Sequence, residues 1–444
     1  MKKLLVIAYD FPPSTPGIWR TLKYCRYMGE FGWKPSILTV RTVRGPRHDM
    51  APLKQLPPGI EVRRTHSFDT NRLAWLASQA MQRLRPRAPA PKPAAGSGSH
   101  GTFAAGRAVM DVLRSWVLVP DDRLGWLPFA IAEGRRWLRE ERFDAIYSTC
   151  YPHTAHVVGE RLARESGLPF LADFRDIWIG SYVFYHPATP LHDRMQRSLE
   201  RAVVERAARV VSATEPITRD FRERYRDVPA DRFSTITNGF DSEDFNALGT
   251  SPDREHFTIT YAGTLFNHAT PGPFFEAVAR VLAATPRWRD VLRLRFVGSM
   301  IEPFRAMIGQ HGLSDVTRVD GYLPHAEALR LMAEADALLL IVPDTPGSHI
   351  MLTQKVFEYV AARRPVLGLV PAGAAKDFLA EIGEGTTVHP ADVDGMARAL
   401  TSMLTEWEAQ GRVELGENPR LARYSRRSLT QALCAELDAI TRAS

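Results

Sequence analysis

The segment Thr353-Gln354-Lys355-Val356-Phe357-Glu358-Tyr359-Val360-Ala361-Ala362 places a cation and a carboxylate three residues apart at the opening of an amphipathic run. The loop before it, VPDTPGSHIML, carries Pro, Gly and Ser. A loop of that kind feeding a helix start offers unpaired backbone N–H groups and the positive end of a helix dipole, which suits a diphosphate. Lys355 adds charge in the first turn. Glu358, one turn further on, can accept hydrogen bonds from the two vicinal hydroxyls of a ribose. Glutamate is common on amphipathic helices, so Glu358 gains meaning only from its place behind Lys355 and the loop.

Two earlier stretches have chemistry of their own. Asp10-Phe11-Pro12-Pro13-Ser14-Thr15-Pro16-Gly17-Ile18-Trp19-Arg20 reads as strand, turn and helix start. Gly17 would let a ligand approach the backbone, and Arg20 would reach a diphosphate. The pattern is not G-x-G-x-x-G, and an ordinary strand-to-helix turn has the same look. Ala172-Asp173-Phe174-Arg175-Asp176-Ile177-Trp178 sets two carboxylates around an arginine at a predicted strand end, where open α/β sheets bind ligands. Asp173 and Asp176 are candidates for sugar hydroxyls or an acceptor, and Arg175 for a phosphate; a structural ion pair competes with that reading. His153 and His156 stand at a helix start and could contact a sugar, although capping or packing is the commoner use. Asp392-Val393-Asp394 reads as a helix N-terminus rather than a metal site.

The elements that must position these residues alternate. Strands are predicted at Leu4–Tyr9, Ser36–Val40, Glu61–Thr65, Ala145–Thr149, Phe170–Asp173 and Val210–Ala213, with helices such as Arg20–Phe31, Thr154–Ser166 and Arg194–Ala207 between them. A second series follows, with strands Phe257–Ala262, Leu292–Val297, Val316–Asp320, Ala337–Ile341 and Val366–Leu369 and helices Pro273–Ala284, His325–Glu334 and Thr353–Ala362. This is an α/β pattern with mostly parallel sheets, written twice. The expected boundaries are a first domain over 1–240, a polar linker over 241–256, a second domain over 257–424 and a closing helix over 425–444.

Composition sets further bounds. Cys25, Cys150 and Cys434 are too few and too scattered for a disulfide framework or a zinc cluster, which fits a reducing compartment. The opening MKKLLVIAYDFPP reads as a buried first strand rather than a signal peptide. No run approaches the ~20 apolar residues of a spanning helix. The net charge is +7, yet 13 Lys/Arg face 4 Asp/Glu between Arg41 and Arg114, so the rest of the chain is slightly acidic. Within that region lies an insert, about 72–118, whose centre RPRAPAPKPAAGSGSHG cannot build a core and is expected to be disordered. Its flanks mix apolar and basic residues and suit either a membrane interface or packing on the parent domain. It lacks an aromatic stacking platform, which argues against a nucleic-acid partner.

The order and spacing of FPP, DFRDIW, ITNGFD, YAGTL and KVFEYVAARRPVL resemble glycosyltransferase family 4, in a subgroup with DFRD-x-W and K-x-F-E-Y motifs. The resemblance implies the GT-B fold: two Rossmann-like domains with parallel sheets facing across a cleft, the nucleotide sugar on the second and the acceptor on the first. It implies a retaining hexosyltransferase using a nucleotide diphosphate sugar, with UDP favoured over GDP, and a glycan or lipid-linked acceptor in polysaccharide, lipopolysaccharide or glycolipid synthesis. No protein nucleophile, cofactor or metal is required, and the protein would be cytoplasmic, associated with the inner membrane face through its basic insert. Carried over by position, Glu358 is the ribose-binding glutamate. Gly17, Gly263, Thr264, Thr353, Gln354 and Lys355 surround the nucleotide sugar. Lys355, Arg20, Arg175 and Asp176 act in catalysis, and Asp173 and His153 meet the acceptor.

The chain departs from the family in three places. Ile350 stands where the first glutamate of E-x7-E belongs. The Arg–Lys pair after the first strand of the second domain is missing, leaving His268, Arg20 or Lys355 to supply charge. Arg175 stands where many retaining members have histidine. A sugar-nucleotide epimerase or hydrolase of the same fold, or a non-catalytic scaffold subunit, are the alternatives these departures keep open.

Overall fold

The computed structural model describes residues 1–13, 17–41, 50–68, 119–181, 185, 187, 189–246, 248–265 and 268–442. The insert expected over 72–118 and the turn residues Ser14, Thr15 and Pro16 lie outside the described residues. The chain divides into two units, Met1–Ala213 with Asp220–Thr235 and Thr430–Ser444, and Thr214–Arg219 with Ile236–Leu429. Residues 241–256 therefore belong to the second unit. The closing helix, Arg426–Arg442, opens in the second unit and belongs to the first from Thr430 onward.

The first unit holds seven strands: β1 (Lys2–Ile7), β2 (Trp33–Val40), β3 (Glu61–Thr65), β4 (Ala145–Cys150), β5 (Phe170–Phe174), β6 (Arg209–Ser212) and β7 (Phe233–Thr235). They form one parallel sheet in the order β3-β2-β1-β4-β5-β6-β7. Leu4, Leu5, Val6 and Ile7 of β1 are all fully buried, as a parallel strand covered on both faces requires. The order reverses at β1/β4, a topological switch point, where open sheets leave a crevice beyond their strand ends.

The second unit repeats the plan with six strands: β8 (Phe257–Ala262), β9 (Leu292–Val297), β10 (Thr317–Gly321), β11 (Ala337–Ile341), β12 (Val366–Leu369) and β13 (Gly385–Val388). All pairs are parallel, in the order β10-β9-β8-β11-β12-β13, so the switch point falls at β8/β11. Alternation along β11 builds two cores. Ala337, Leu339 and Ile341 face one side with Phe274, Phe275 and Leu400. Leu338 and Leu340 face the other with Val356, Phe357 and Val360.

The predicted strands all form, with ends shifted by at most three residues. Two strands were not foreseen. β7 (Phe233–Thr235) and β13 (Gly385–Val388) are short sheet edges, and residues 385 and 386 of β13 are exposed, so neither writes an apolar run. The helix expected over 194–207 runs from Pro190 to Arg206. Thr189 caps it, its hydroxyl accepting from the His192 N–H at 3.3 Å, and proline at its first position suits a helix start.

Beyond the ends of β8 and β9 two backbones nearly touch. Gly298 has φ +118°, donates to the Gly321 carbonyl at 2.6 Å, and a Cβ there would sit 2.1 Å from the Gly263 oxygen. Gly298→Ala is therefore expected to destabilise the protein by about 1–3 kcal/mol, read as a lower midpoint in urea unfolding with an unchanged slope.

Candidate functional site

In the first unit the predicted charges are used differently from expectation. Arg20 is the second residue of the helix Trp19–Tyr27 and is only 2% exposed. Its Nε and Nη2 donate to the two oxygens of Asp173 at 2.9 and 2.8 Å, and Asp173 is wholly buried. Tyr147 Oη and Thr149 Oγ1 also donate to Asp173, at 2.6 and 3.1 Å. Burial alone would raise the Asp173 carboxyl, but Arg20, the Tyr147 hydroxyl and the charge of Arg175 outweigh it and hold it below the usual range. The pair is a staple from the helix after β1 to the end of β5. Arg20 is thus corrected from a diphosphate ligand, and Asp173 from an acceptor ligand, to a buried structural pair: neither side chain has surface left for a substrate.

Arg175 is also engaged by the protein. Its guanidinium donates to the carbonyls of Cys150, Gly17 and Tyr151, the last at 2.9 Å. Gly17 has φ +64°, and a Cβ there would lie 3.2 Å from Arg175 Nη1. The bare backbone at Gly17 therefore admits Arg175, where sequence reasoning gave that space to a ligand. Asp176, next in line, is exposed. His153 precedes the helix Thr154–Ser166 and is 2% exposed, its ring stacked on Trp178 at 4.6 Å and 6°. Burial, then the nearby His156 and Arg175, push its pKa well below the usual value, so the ring is neutral at pH 7. Neither ring nitrogen has a partner among the described residues. The cap of that helix is Asp121, which accepts from the Thr154 N–H and hydroxyl at 2.8 and 2.7 Å. Sequence reasoning missed it because Asp121 lies 33 residues from its partner.

In the second unit the predicted residues do converge. The helix Gln354–Ala361 follows β11 across the loop 342–353 and lies against the end of β8. Thr353 stands before it in extended conformation, φ −71° and ψ 153°, and no side chain caps the helix among the described residues. The Thr353 hydroxyl is buried without a partner among them. Lys355 Nζ donates to Tyr261 Oη at 2.6 Å and lies 4.3 Å from the centre of that ring. Tyr261 Oη in turn donates to the Thr264 carbonyl at 3.2 Å. A Cβ at Gly263 would sit 2.7 Å from Lys355 Nζ, so the ammonium passes where a side chain would have been. Gly263 has φ +137°, and the exposed Thr264 follows it.

Tyr359, fully buried, fixes the helix to the sheet by accepting from the Ala262 N–H at 2.8 Å. Glu358 lies one turn from Lys355, with its side chain 14% exposed. Its Oε1 meets His325 Nε2 and Gln354 Nε2, each at 3.3 Å, and its Oε2 has no partner among the described residues. Burial would raise this carboxyl, but the contacts from His325 and Gln354 and the charge of Arg426 outweigh it and hold it below the usual range. Gln354 is committed internally, its amide donating to Gly239 O at 2.8 Å and accepting from Arg426. Its side chain is thereby corrected from a ligand contact to an internal one, leaving its backbone N–H at the helix end. Ile350 is half-buried and His268 exposed. Tyr261, Tyr359 and His325 were missed, although the tyrosine of K-x-F-E-Y and the histidine closing Leu-Pro-His were the available signals. Among the described residues no group of His, Cys, Asp and Glu could hold a metal ion.

A helix start without a cap, a lysine beside it and a carboxylate one turn on, all at a switch point, can hold a diphosphate and a ribose together. The comparisons with known proteins agree in architecture. Residues 84–244 match the model of Glycosyltransferase Family 4. HepE from Anabaena, solved with UDP, aligns over 100% of this chain and 98% of its own, at 16% identity and TM-score 0.57. The fold is GT-B.

Other GT-B neighbours are a lipopolysaccharide outer core galactosyltransferase, WaaB, at 12% identity and TM-score 0.58 over 98% of this chain and 99% of that one, and the UDP-forming α,α-trehalose-phosphate synthase of Burkholderia vietnamiensis, at 14% identity and TM-score 0.58 over 100% of both chains. HepE has also been solved with UDP-glucose, at 16% identity, TM-score 0.56 and coverage of 100% and 98%. Comparison with curated protein sequences gives no match. Among the described residues no helix is long and apolar enough to cross a membrane.

The Arg20–Asp173 staple makes a quantitative prediction. Asp173→Ala strands a buried guanidinium and should lower stability by about 3–5 kcal/mol at pH 7. The Asp173 pKa in the fold lies below its unfolded value of about 3.9. Its contribution is therefore complete above that pH and fades as pH falls through the lower folded value. Urea unfolding of both proteins from pH 7 to pH 3 should show the gap between them narrow only below about pH 4.

Proposed function

We propose that this protein is a retaining glycosyltransferase that takes a sugar from a nucleoside diphosphate, UDP first among the candidates, and transfers it to a glycan or lipid-linked acceptor. The observation that carries this reading is the lysine lying over Gly263 beside an uncapped helix start, with Glu358 one turn further on. The diphosphate would take hydrogen bonds from the opening N–H groups of the helix at Thr353, Gln354 and Lys355 and from Lys355 Nζ. Gly263 and Thr264 would flank it. The ribose hydroxyls would donate to Glu358.

The reaction follows from that placement. The bond from the sugar's anomeric carbon to the diphosphate oxygen breaks as an acceptor hydroxyl forms a new bond on the same face. The hydroxyl proton passes to the departing phosphate oxygen, so retention needs no protein nucleophile. What the protein supplies is position and a fixed positive field where charge gathers on the leaving diphosphate. On the first unit, exposed Asp176 is the acceptor candidate that remains, since Asp173 is paired and His153 is buried against Trp178. Arg175 shapes the Asp176 loop. The basic insert is assigned to a lipid or membrane partner on its composition alone.

Ile350 favours one second reading, a subunit that binds nucleotide without transfer. It puts a half-buried hydrocarbon where the family resemblance calls for a carboxylate. Turnover decides between the two. With a panel of UDP-, GDP-, dTDP- and ADP-sugars, wild type should consume one donor in an acceptor-dependent reaction. Glu358→Ala should weaken nucleotide binding at least tenfold in calorimetry while leaving the melting temperature nearly unchanged. Lys355→Ala should lower kcat by about 100- to 1,000-fold. Full activity in Glu358→Ala would overturn the site; nucleotide binding without turnover of any donor would favour the second reading.

A further inference from the structure

The ITNGFD motif has a structural cause that leads back to the nucleotide site. A Cβ at Gly239 would lie 2.2 Å from the Tyr424 oxygen and 2.4 Å from Leu429 Cδ1, so the chain entering the closing helix packs directly on the glycine. Phe240 N–H donates to Tyr424 O at 3.1 Å, and Arg426 N–H donates to Phe240 O at 2.7 Å, pairing the two segments in parallel. This pairing aims two groups at Gln354. The Gly239 carbonyl accepts from Gln354 Nε2 at 2.8 Å, and the Arg426 guanidinium, 2% exposed, donates to Gln354 Oε1. Held from both sides, the same amide reaches Glu358 Oε1 at 3.3 Å. His325 Nε2 approaches that oxygen from the start of the helix His325–Glu334, also at 3.3 Å.

We infer that Gln354 is a positioning residue for Glu358: clamped between Gly239 and Arg426, it holds Oε1 of Glu358 and leaves Oε2 turned to the ribose hydroxyls of a nucleoside diphosphate. The inference rests on the nucleotide reading above and extends it to residues remote in sequence. An amide suits the post because it can donate to one carbonyl and one carboxylate while accepting from a guanidinium. A carboxylate in its place would repel Glu358, and a methionine of similar length would hold neither neighbour. Bound on both ends, the Gln354 side chain affects the nucleotide only through the carboxylate it orients.

That dependence can be measured with paired ligands. Isothermal calorimetry on the full chain would compare UDP with its 2′,3′-dideoxy analogue for wild type, Gln354→Met, Glu358→Ala and the double variant, with the same pairs for GDP and ADP should UDP not bind. Gln354→Met should weaken the ribonucleotide about tenfold, in line with the loss of one to two oriented hydrogen bonds. It should leave the dideoxy analogue within twofold, and add nothing to the Glu358→Ala loss. Gln354→Asn, which keeps the amide but shortens its reach, should behave like Gln354→Met and guards against a folding defect in one variant. Equal weakening of both ligands, or additive losses in the double variant, would overturn the positioning role while leaving the nucleotide site intact. A wild type that binds none of the ribonucleotides would overturn the site and, with it, this inference.

Discussion

Lys355 reaches across the carboxyl edge of the second sheet only because position 263 has no side chain. Its ammonium occupies the volume a Cβ would claim, with Tyr261 beneath it and the Thr264 carbonyl beyond. The neighbouring strand obeys the same constraint, since Gly298 is pressed against the Gly263 carbonyl. Two glycines in unusual backbone conformations thus open a place where a helix start, a cation and a carboxylate meet. Tyr359 keeps them there by tying the helix to Ala262. A side chain at either glycine would displace the lysine or part the strands.

The first unit shows how similar residues can serve the opposite purpose. Arg20 and Asp173 also stand at a switch point, yet they face each other at full burial, with two hydroxyls completing the carboxylate's shell. A buried pair of this kind holds a helix and a strand in register and offers nothing to a ligand. Arg175 goes the same way, spent on three carbonyls of its own chain. Charge at a strand end is therefore not enough; what separates the two edges is whether the protein itself has satisfied the charge.

This distinction explains what could be read from the sequence. Strand periodicity predicted both sheets because central parallel strands are apolar on both faces, and it missed β7 and β13, which as short edges are not. Lys355 and Glu358 could be set one turn apart from their spacing because they share one helix, whereas Gly263 entered through the family resemblance alone. The fate of Arg20 and Asp173 was not, since 153 residues separate them and only the fold brings them together. Asp121 capping Thr154 and Gln354 gripping Gly239 are long-range in the same way. Ile350 could be seen as a departure, and its half-buried place in the loop accords with a hydrocarbon there.

The central claim is a location for a diphosphate, and a crystal structure of the protein with UDP tests it most directly. The account predicts phosphate oxygens about 3 Å from Lys355 Nζ and from the opening N–H groups of the Gln354–Ala361 helix, with the ribose on Glu358. A diphosphate bound elsewhere, with Lys355 still resting on Tyr261 and the helix start untouched, would contradict it.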